Sequence, residues 1–223
     1  MNFYAIKYGV TVLPESWVFK GGRSDLNLPI ALLFFLIKSG NKNILVDVGC
    51  DVMAGFVTPE FMKPVDALRM TGLEPADITD IFLSHSHSDH MDSVIHFPNA
   101  KVYIQKNEAG NAQKLIGGTD RLMTFDEEYR MELDDGSITA KWIGGHSPGS
   151  SVFYLTGGGK KYVLIGDEFY SPRCITENRQ AGMPFNPEAN RRFLDELRGG
   201  DFTPVVFHDP DLVPGALGTR QIF

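Results

Sequence analysis

Cysteine is scarce: Cys50 and Cys174 are the only two among 223 residues. That excludes a disulfide-dense scaffold and a thiolate-bound structural zinc cluster, each of which draws on several cysteines. The pair could bridge each other, but in a reducing compartment free thiols are the default. An excess of positive charge is also missing, because 21 Lys and Arg face 28 Asp and Glu for a net charge of −7. An acidic surface repels anionic polymers, so no nucleic-acid partner is expected. Long apolar runs are absent too. The longest, Ile30 to Ile37, falls far short of the roughly 20 residues that cross a bilayer as a helix. The stretch Met1-Asn2-Phe3-Tyr4-Ala5-Ile6-Lys7 lacks the basic-then-apolar order of a signal peptide. A cytoplasmic protein with no membrane partner is the expectation, its oligomeric state open.

The remaining composition, 43% apolar and 22% charged, is that of a globular protein, and 24.8 kDa suffices for one α/β domain spanning residues 1–223 with a sizeable core. Residues 3 to 8 alternate as an edge strand would, and Leu13 to Leu28 form an irregular segment in which Trp17 and Phe19 read as anchors to the core. Ile30 to Lys38 and Asn43 to Val48 predict a buried hairpin turning at Ser39-Gly40-Asn41-Lys42. Pro64 to Met70 predicts a helix ending at Gly72, and Lys106 to Leu115 another closed by Gly117-Gly118. The clearest helix follows Asn186, a plausible N-cap, with Pro187 in the first turn, Phe193, Leu194 and Leu197 as its apolar stripe and Gly199 as its stop. It reads as cover for a sheet, without chemistry of its own.

The stretch around which the rest is organised is Ile81-Phe82-Leu83-Ser84-His85-Ser86-His87-Ser88-Asp89-His90. An apolar strand end runs into three histidines and a carboxylate on a segment too short and Ser-rich for a stable helix. Imidazole nitrogen and carboxylate oxygen suit zinc, manganese or iron(II). Later strands also end in donors: His146 within Gly145-His146-Ser147-Pro148-Gly149, Asp167 after Lys161 to Ile165, and His208 after Val205-Val206-Phe207. Five of the six histidines are thereby used; His96, beside Phe97-Pro98, reads as a packed or surface residue. Five imidazoles and two carboxylates exceed what one tetrahedral catalytic zinc accepts, but suit two ions bridged by a carboxylate and a hydroxide. Asp47-Val48-Gly49 allows two readings, a turn-forming acid or a carboxylate that orients a metal-bound imidazole.

The run His85-Ser86-His87-Ser88-Asp89-His90, then His146, Asp167 and His208, with Asp47-x-Gly49, resembles the signature of the metallo-β-lactamase superfamily along essentially the whole chain. The resemblance implies an αβ/βα sandwich of two mixed β-sheets flanked by helices. It implies two divalent ions, zinc first with Mn2+ or Fe2+ as alternatives. His85, His87 and His146 would hold one, Asp89, His90 and His208 the other, and Asp167 would bridge them. Tyr170, three residues after Asp167 and otherwise a packing residue, makes the chain similar to the N-acyl homoserine lactone lactonases, as do Leu26-Asn27-Leu28-Pro29, Ile44 to Gly49, Pro184-Phe185-Asn186-Pro187 and His208-Asp209. That likeness implies opening of a lactone ring by a metal-bridging hydroxide, with Tyr170 stabilising the oxyanion and Asp89 returning a proton to the leaving alkoxide. Trp17, Phe19, Met53, Phe56 and Phe61 are candidates for an acyl groove. Ser88, where the lactonases have a bulky apolar residue, and Met91-Asp92-Ser93, where they have small glycines, depart from the pattern. A thioesterase similar to glyoxalase II, or another small-ester hydrolase, is the first alternative; an iron oxidoreductase or a non-catalytic binding protein on the same scaffold follows.

Overall fold

The run Ile30 to Ile37 lies within β2 (Asn27–Ser39), which pairs antiparallel with β1 (Asn2–Pro14) on one side and β3 (Lys42–Val46) on the other. Side chains alternate across a strand, so Leu33, Phe35 and Ile37 enter one apolar cluster while Leu32, Phe34 and Leu36 enter another. With core on both faces there is no polar alternation to write into the sequence, which is why the run is unbroken. The computed structural model describes residues 1–116 and 120–223; Gly117-Gly118, expected to close a helix, lie outside the described residues.

Among the described residues two sheets form. In the first, the two-residue β4 (Glu60–Phe61) and β13 (Gly218–Gln221) pair with β1, and β5 (Asp80–Phe82), β6 (Lys101–Gln105) and β7 (Leu122–Phe125) run parallel beyond β3. In the second, β8 (Glu128–Leu133), β9 (Gly136–Trp142), β10 (Ser151–Gly157) and β11 (Lys160–Leu164) are successive antiparallel neighbours, and β12 (Thr203–Val205) joins parallel to β11. The facing sheets bury a shared core, where Phe35 meets Phe207 at 4.7 Å and Phe82 meets Phe153 at 5.9 Å between ring centroids. Ala67 and Leu68 of α2 (Pro64–Arg69) and Ala112 of α4 (Ala109–Ile116) cover the outer face of the first sheet. Cys174 of α5 (Pro172–Thr176) and Phe193, Leu194 and Leu197 of α6 (Pro187–Gly199) cover that of the second. The layers are the expected αβ/βα sandwich.

Two expectations change. Residues 3 to 8 belong to an interior strand, because β13 pairs with β1 opposite β2. Buried Lys7, whose Nζ donates to the carbonyl of Val213 at 2.7 Å and also to that of Gly215, is the polar interruption that gave this strand an edge-like pattern. The segment after Leu13 contains a single helical turn, α1 (Glu15–Val18). The helix α6 begins as expected, with Asn186 Oδ1 accepting from the amides of Glu188 and Ala189 at 3.1 Å. It does more than cover the sheet: fully buried Asn190 donates from Nδ2 to the Glu168 carbonyl at 2.8 Å, beside Asp167.

Candidate metal centre

Five strand ends deliver the candidate side chains. β5 is followed by Ser84 and His85, β9 by the loop holding His146, β11 by Asp167, β12 by His208, and β3 by Asp47. Strands locked in hydrogen-bonded sheets make rigid supports, so donors at their ends are held before any ligand arrives. His87 precedes α3 (Ser88–Met91), a one-turn helix carrying Asp89 and His90.

Hydrogen bonds fix how three buried imidazoles present themselves. Asp47, fully buried and left-handed at φ 58°, accepts from the Ser84 amide through Oδ1 and from Ser84 Oγ and His90 Nδ1 through Oδ2, each at 2.7 Å. Ser84 Oγ, having given its proton to Asp47, accepts from His85 Nδ1 at 2.9 Å. His208 Nδ1 donates to the Ala31 carbonyl at 2.8 Å. Each ring thus spends its Nδ1–H on the protein and turns Nε2 inward. Of the two readings of Asp47, the geometry selects the orienting carboxylate.

The inward atoms form two groups whose members lie within 4.8 Å of one another: His85, His87, His146 and Asp167, and Asp89, His90 and His208. His87 Nδ1 lies 2.9 Å from His85 Nε2 and 3.0 Å from His146 Nε2. Asp167 faces both groups. Its Oδ1 is 2.9 Å from His208 Nε2 and 3.0 Å from His90 Nε2, while its Oδ2 is 3.6 Å from His146 Nε2 and 3.9 Å from His85 Nε2. Asp89 Oδ2 lies 3.5 Å from His90 Nε2.

Electrostatics differ between the groups. Burial pushes His85 well below the ordinary imidazole range and His146 down to about 4, so both present neutral lone pairs. His90 is also driven down by burial, but Asp167, Asp89 and Asp47 outweigh it and pull it well up; Asp167 does the same for His208. Burial raises Asp167 and Asp89 in turn, and the neighbouring imidazoles reverse this, holding both carboxyls below their usual range. Carboxylates facing buried imidazole nitrogens make a site that would suit a cation. His90 Nε2 is the sharpest sign: it is buried, its Nδ1 is committed, and Asp167 Oδ1, though near, is out of hydrogen-bonding alignment, so it has no hydrogen-bond partner. Nitrogen and oxygen donors split into two sets, with no cysteine among them, fit a pair of divalent ions.

Above the donors lies a cavity of about 280 Å³ with His87, Ser88, Asp89, Asp167, Tyr170 and His208 in its polar floor. Tyr170 stacks on His208 at 5.3 Å and meets His146 edge-on at 6.0 Å; burial and the nearby Asp167 and Asp89 raise its hydroxyl well above the usual phenol range, keeping it a proton donor. Of the five residues expected to form an apolar groove, Trp17, Met53 and Phe56 line the walls, Trp17 meeting Phe56 edge-on at 6.4 Å. Phe19 is instead fully buried, with Arg179 4.2 Å over its ring, and Phe61 packs edge-on against Tyr8 in the first sheet's outer core. His96 is a partly exposed residue bonded to Asp51 Oδ2 at 2.8 Å. Cys50 and Cys174 are buried free thiols, each pushed up by burial to about 11.

Residues 33–208 match the family model of the metallo-beta-lactamase superfamily. The chain belongs to the metallo-β-lactamase superfamily. Among curated members it is 26% identical over 229 residues to an N-acyl homoserine lactonase, AttM, of Rhizobium radiobacter, covering 86% of each chain. It is 29% identical over 132 residues to a hydroxyacylglutathione hydrolase of Actinobacillus pleuropneumoniae, covering 56% of this chain and 50% of that enzyme. Solved superfamily structures with the same fold include a variant of B. thuringiensis AiiA with N-decanoyl-L-homoserine at its active site, at TM-score 0.78 and 20% identity over 95% of this chain and 94% of that one. Another is AidC, a dizinc quorum-quenching lactonase holding a product, at TM-score 0.74 and 21% identity over 99% of this chain and 93% of that one.

Two side chains of this superfamily site that nothing in the sequence marks are Glu108 and Glu168. Both are buried, and both bond the loop that carries His146. Glu168 follows Asp167 directly, a faint signal. Glu108 lies 18 positions beyond His90 and is brought to the site by the turn after β6, which no local pattern discloses.

Proposed function

We propose that this protein is a dinuclear metal hydrolase that opens the ring of N-acyl homoserine lactones. The observation that carries the reading is Asp167, whose two oxygens face two separate donor groups at the floor of an apolar-walled cavity. His85 Nε2, His87 Nδ1 and His146 Nε2 would hold one ion, and Asp89 with His90 Nε2 and His208 Nε2 the other, Asp167 bridging. Zinc is the ion we expect. When bound, such ions supply Lewis acidity and bring the pKa of water down to roughly 7.

The chain's own residues do the rest. Tyr170 keeps its proton and donates it as a hydrogen bond to the substrate carbonyl oxygen as negative charge develops there. Asp89, held ionised, takes the proton of the attacking water and returns it to the departing ring oxygen, giving the ring-opened hydroxy acid. Trp17, Met53 and Phe56 receive the acyl tail and keep bulk water from the reacting ester. Residues 1–223 act as one domain, and the buried free thiols suit the cytoplasm. No described helix is long and apolar enough to cross a membrane.

The test is metal analysis of the purified protein beside a pH-stat assay on a short-chain and a long-chain acyl homoserine lactone, a simple γ-lactone and an acyl-glutathione thioester. Two equivalents of metal and acid release from the acylated lactones, fastest of the four, are expected. Thioester turnover exceeding lactone turnover would move the protein to the hydroxyacylglutathione hydrolase side of the superfamily. No acid release from any of them would overturn the reading.

A further inference from the structure

The four members of the first donor group come from three separate loops, His85 and His87 from one, His146 from a second and Asp167 from a third. Three loops meet in register only if something joins them, and sheet hydrogen bonds end before the donors begin. We propose that Glu108 and Glu168 are positioning residues that lock these loops together and so set the affinity of this half of the site for its ion. The proposal rests on the ligand assignment made above.

Glu108 joins the first loop to the second. Its Oε1 accepts from Ser147 Oγ at 2.7 Å and from the Gly149 amide at 2.8 Å, while its Oε2 accepts from Ser86 Oγ. Ser86 stands between His85 and His87, and Ser147 follows His146. One carboxylate therefore bonds a residue adjoining each of the three imidazoles. Glu168 joins the second loop to the third: Oε1 accepts from the Gly145 and His146 amides, both at 3.1 Å, and from Ser150 Oγ at 2.5 Å, and the residue adjoins Asp167. The His146 loop is gripped from both sides. Oxygens accepting several N–H and O–H donors make stiff junctions; Glu108 has donors on both oxygens, while those of Glu168 gather on Oε1 and its buried Oε2 has no hydrogen-bond partner.

The glycines of Gly145-His146-Ser147-Pro148-Gly149 supply an independent observation. A Cβ at Gly149 would stand 2.6 Å from Glu108 Cγ, and one at Gly145 would collide with Glu168 Oε2. Both glycines are thus spaces that the two carboxylates fill. The second donor group is secured differently, by Asp47 and the Ala31 carbonyl acting directly on its rings, so a lesion at Glu108 should reach one ion and spare the other.

The experiment strips the full chain of metal and titrates zinc back against a chromophoric chelator, resolving two affinities, with thermal melts of the metal-free forms alongside. For Glu108→Ala one affinity falls by about 10- to 100-fold, the usual loss when a group supporting a metal ligand is removed, and the other changes by less than about threefold. Glu108→Gln, which keeps an acceptor for Ser147 and Gly149, recovers most of the loss; Ser147→Ala weakens the same single affinity more mildly. If Glu108→Ala does not fold, Glu108→Gln and Ser147→Ala decide by the same criterion. Two unchanged affinities, or two falling together in step with the melting temperature, would overturn the proposal. A wild-type chain that binds no zinc would instead sink the ligand assignment itself.

Discussion

The two donor groups that share Asp167 are unlike in almost every respect. The group of His85, His87 and His146 brings nitrogen lone pairs to the cavity, with His87 exposed, and burial keeps His85 and His146 uncharged. The group of Asp89, His90 and His208 is crowded with carboxylates, which pull its imidazoles upward against burial. Their supports overlap only in part: the first is tied through Glu108 and Glu168 and, at the His85 ring, through Ser84 to Asp47, while the second rests on direct bonds from ring nitrogens to Asp47 and Ala31. A half whose two buried imidazoles are uncharged lies beside a strongly charged one. The difference teaches that preorganisation here is achieved by two routes, one tying loops to each other and one holding imidazole rings directly.

The largest effect should come from removing what the halves have in common. Asp167→Asn leaves one neutral oxygen where two charged ones faced both groups. Turnover of the lactone is expected to fall further than for Asp89→Asn, Tyr170→Phe or Tyr8→Phe, because the carboxylate that would be shared by both ions is lost. Metal analysis should show stoichiometry dropping below two. Should one full-affinity zinc survive with ordinary turnover, the halves would be independent and the comparison empty.

Next comes a change confined to the charged half. Asp89→Asn retains shape and loses the ionised oxygen that lies 3.5 Å from His90 Nε2. The expected loss in kcat is about 10²- to 10⁴-fold, the span of a positioned proton carrier, with folding intact by circular dichroism. Tyr170→Phe should cost less, since the phenol belongs to neither half and lies over His208 and beside His146. Loss of one oxyanion donor amounts to about 10²–10³ in kcat where it acts alone, and about 10-fold is expected where other groups share the charge. Steady-state assays should find KM little altered; an unchanged kcat would remove Tyr170 from the chemistry.

How much of this was legible in the sequence follows the same division. The proposed donors could be picked out because histidines concentrated at strand ends are costly to explain any other way, whereas Asp47, at the end of an apolar strand, allowed two readings that only its bonds to Ser84 and His90 separate. The layered fold was legible only through the family resemblance that the donor motif carries; β2 and the hairpin it makes with β3 showed a buried pair of strands and no more. What tied the loops was not, because Glu108 and Asn190 act through bonds to residues 41 and 22 positions away respectively, and a lone acid or amide on a helix or turn has no local pattern. The pairing of β13 with β1 was hidden for a similar reason: Gly218-Thr219-Arg220-Gln221 has neither apolar alternation nor length, and its place is set by a strand at the opposite end of the chain.

The smallest effect tests whether the charged half is held from below as well. Tyr8, fully buried in β1, donates its hydroxyl to the Asp89 carbonyl at 2.8 Å. Its ring occupies the space where a Cβ at Gly49 would stand 2.9 Å from Tyr8 Cζ, and Gly49 has φ of 71°. The glycine of Asp47-Val48-Gly49 therefore makes room for Tyr8 as much as it makes a turn, and Tyr8 in turn fixes the backbone of Asp89 while Asp47 fixes the ring of His90. Tyr8→Phe keeps the ring and leaves one buried carbonyl unpaired, a cost of about 1–2 kcal/mol, or roughly 2–8 °C in Tm for a chain of this size. Zinc titration should show the affinity that Glu108→Ala spares falling by less than about tenfold, a fraction of the loss typical for a direct partner of a ligand, and the other affinity unchanged. If both affinities fell equally, the hydroxyl would be supporting the fold as a whole, and the two halves would share a foundation as well as a carboxylate.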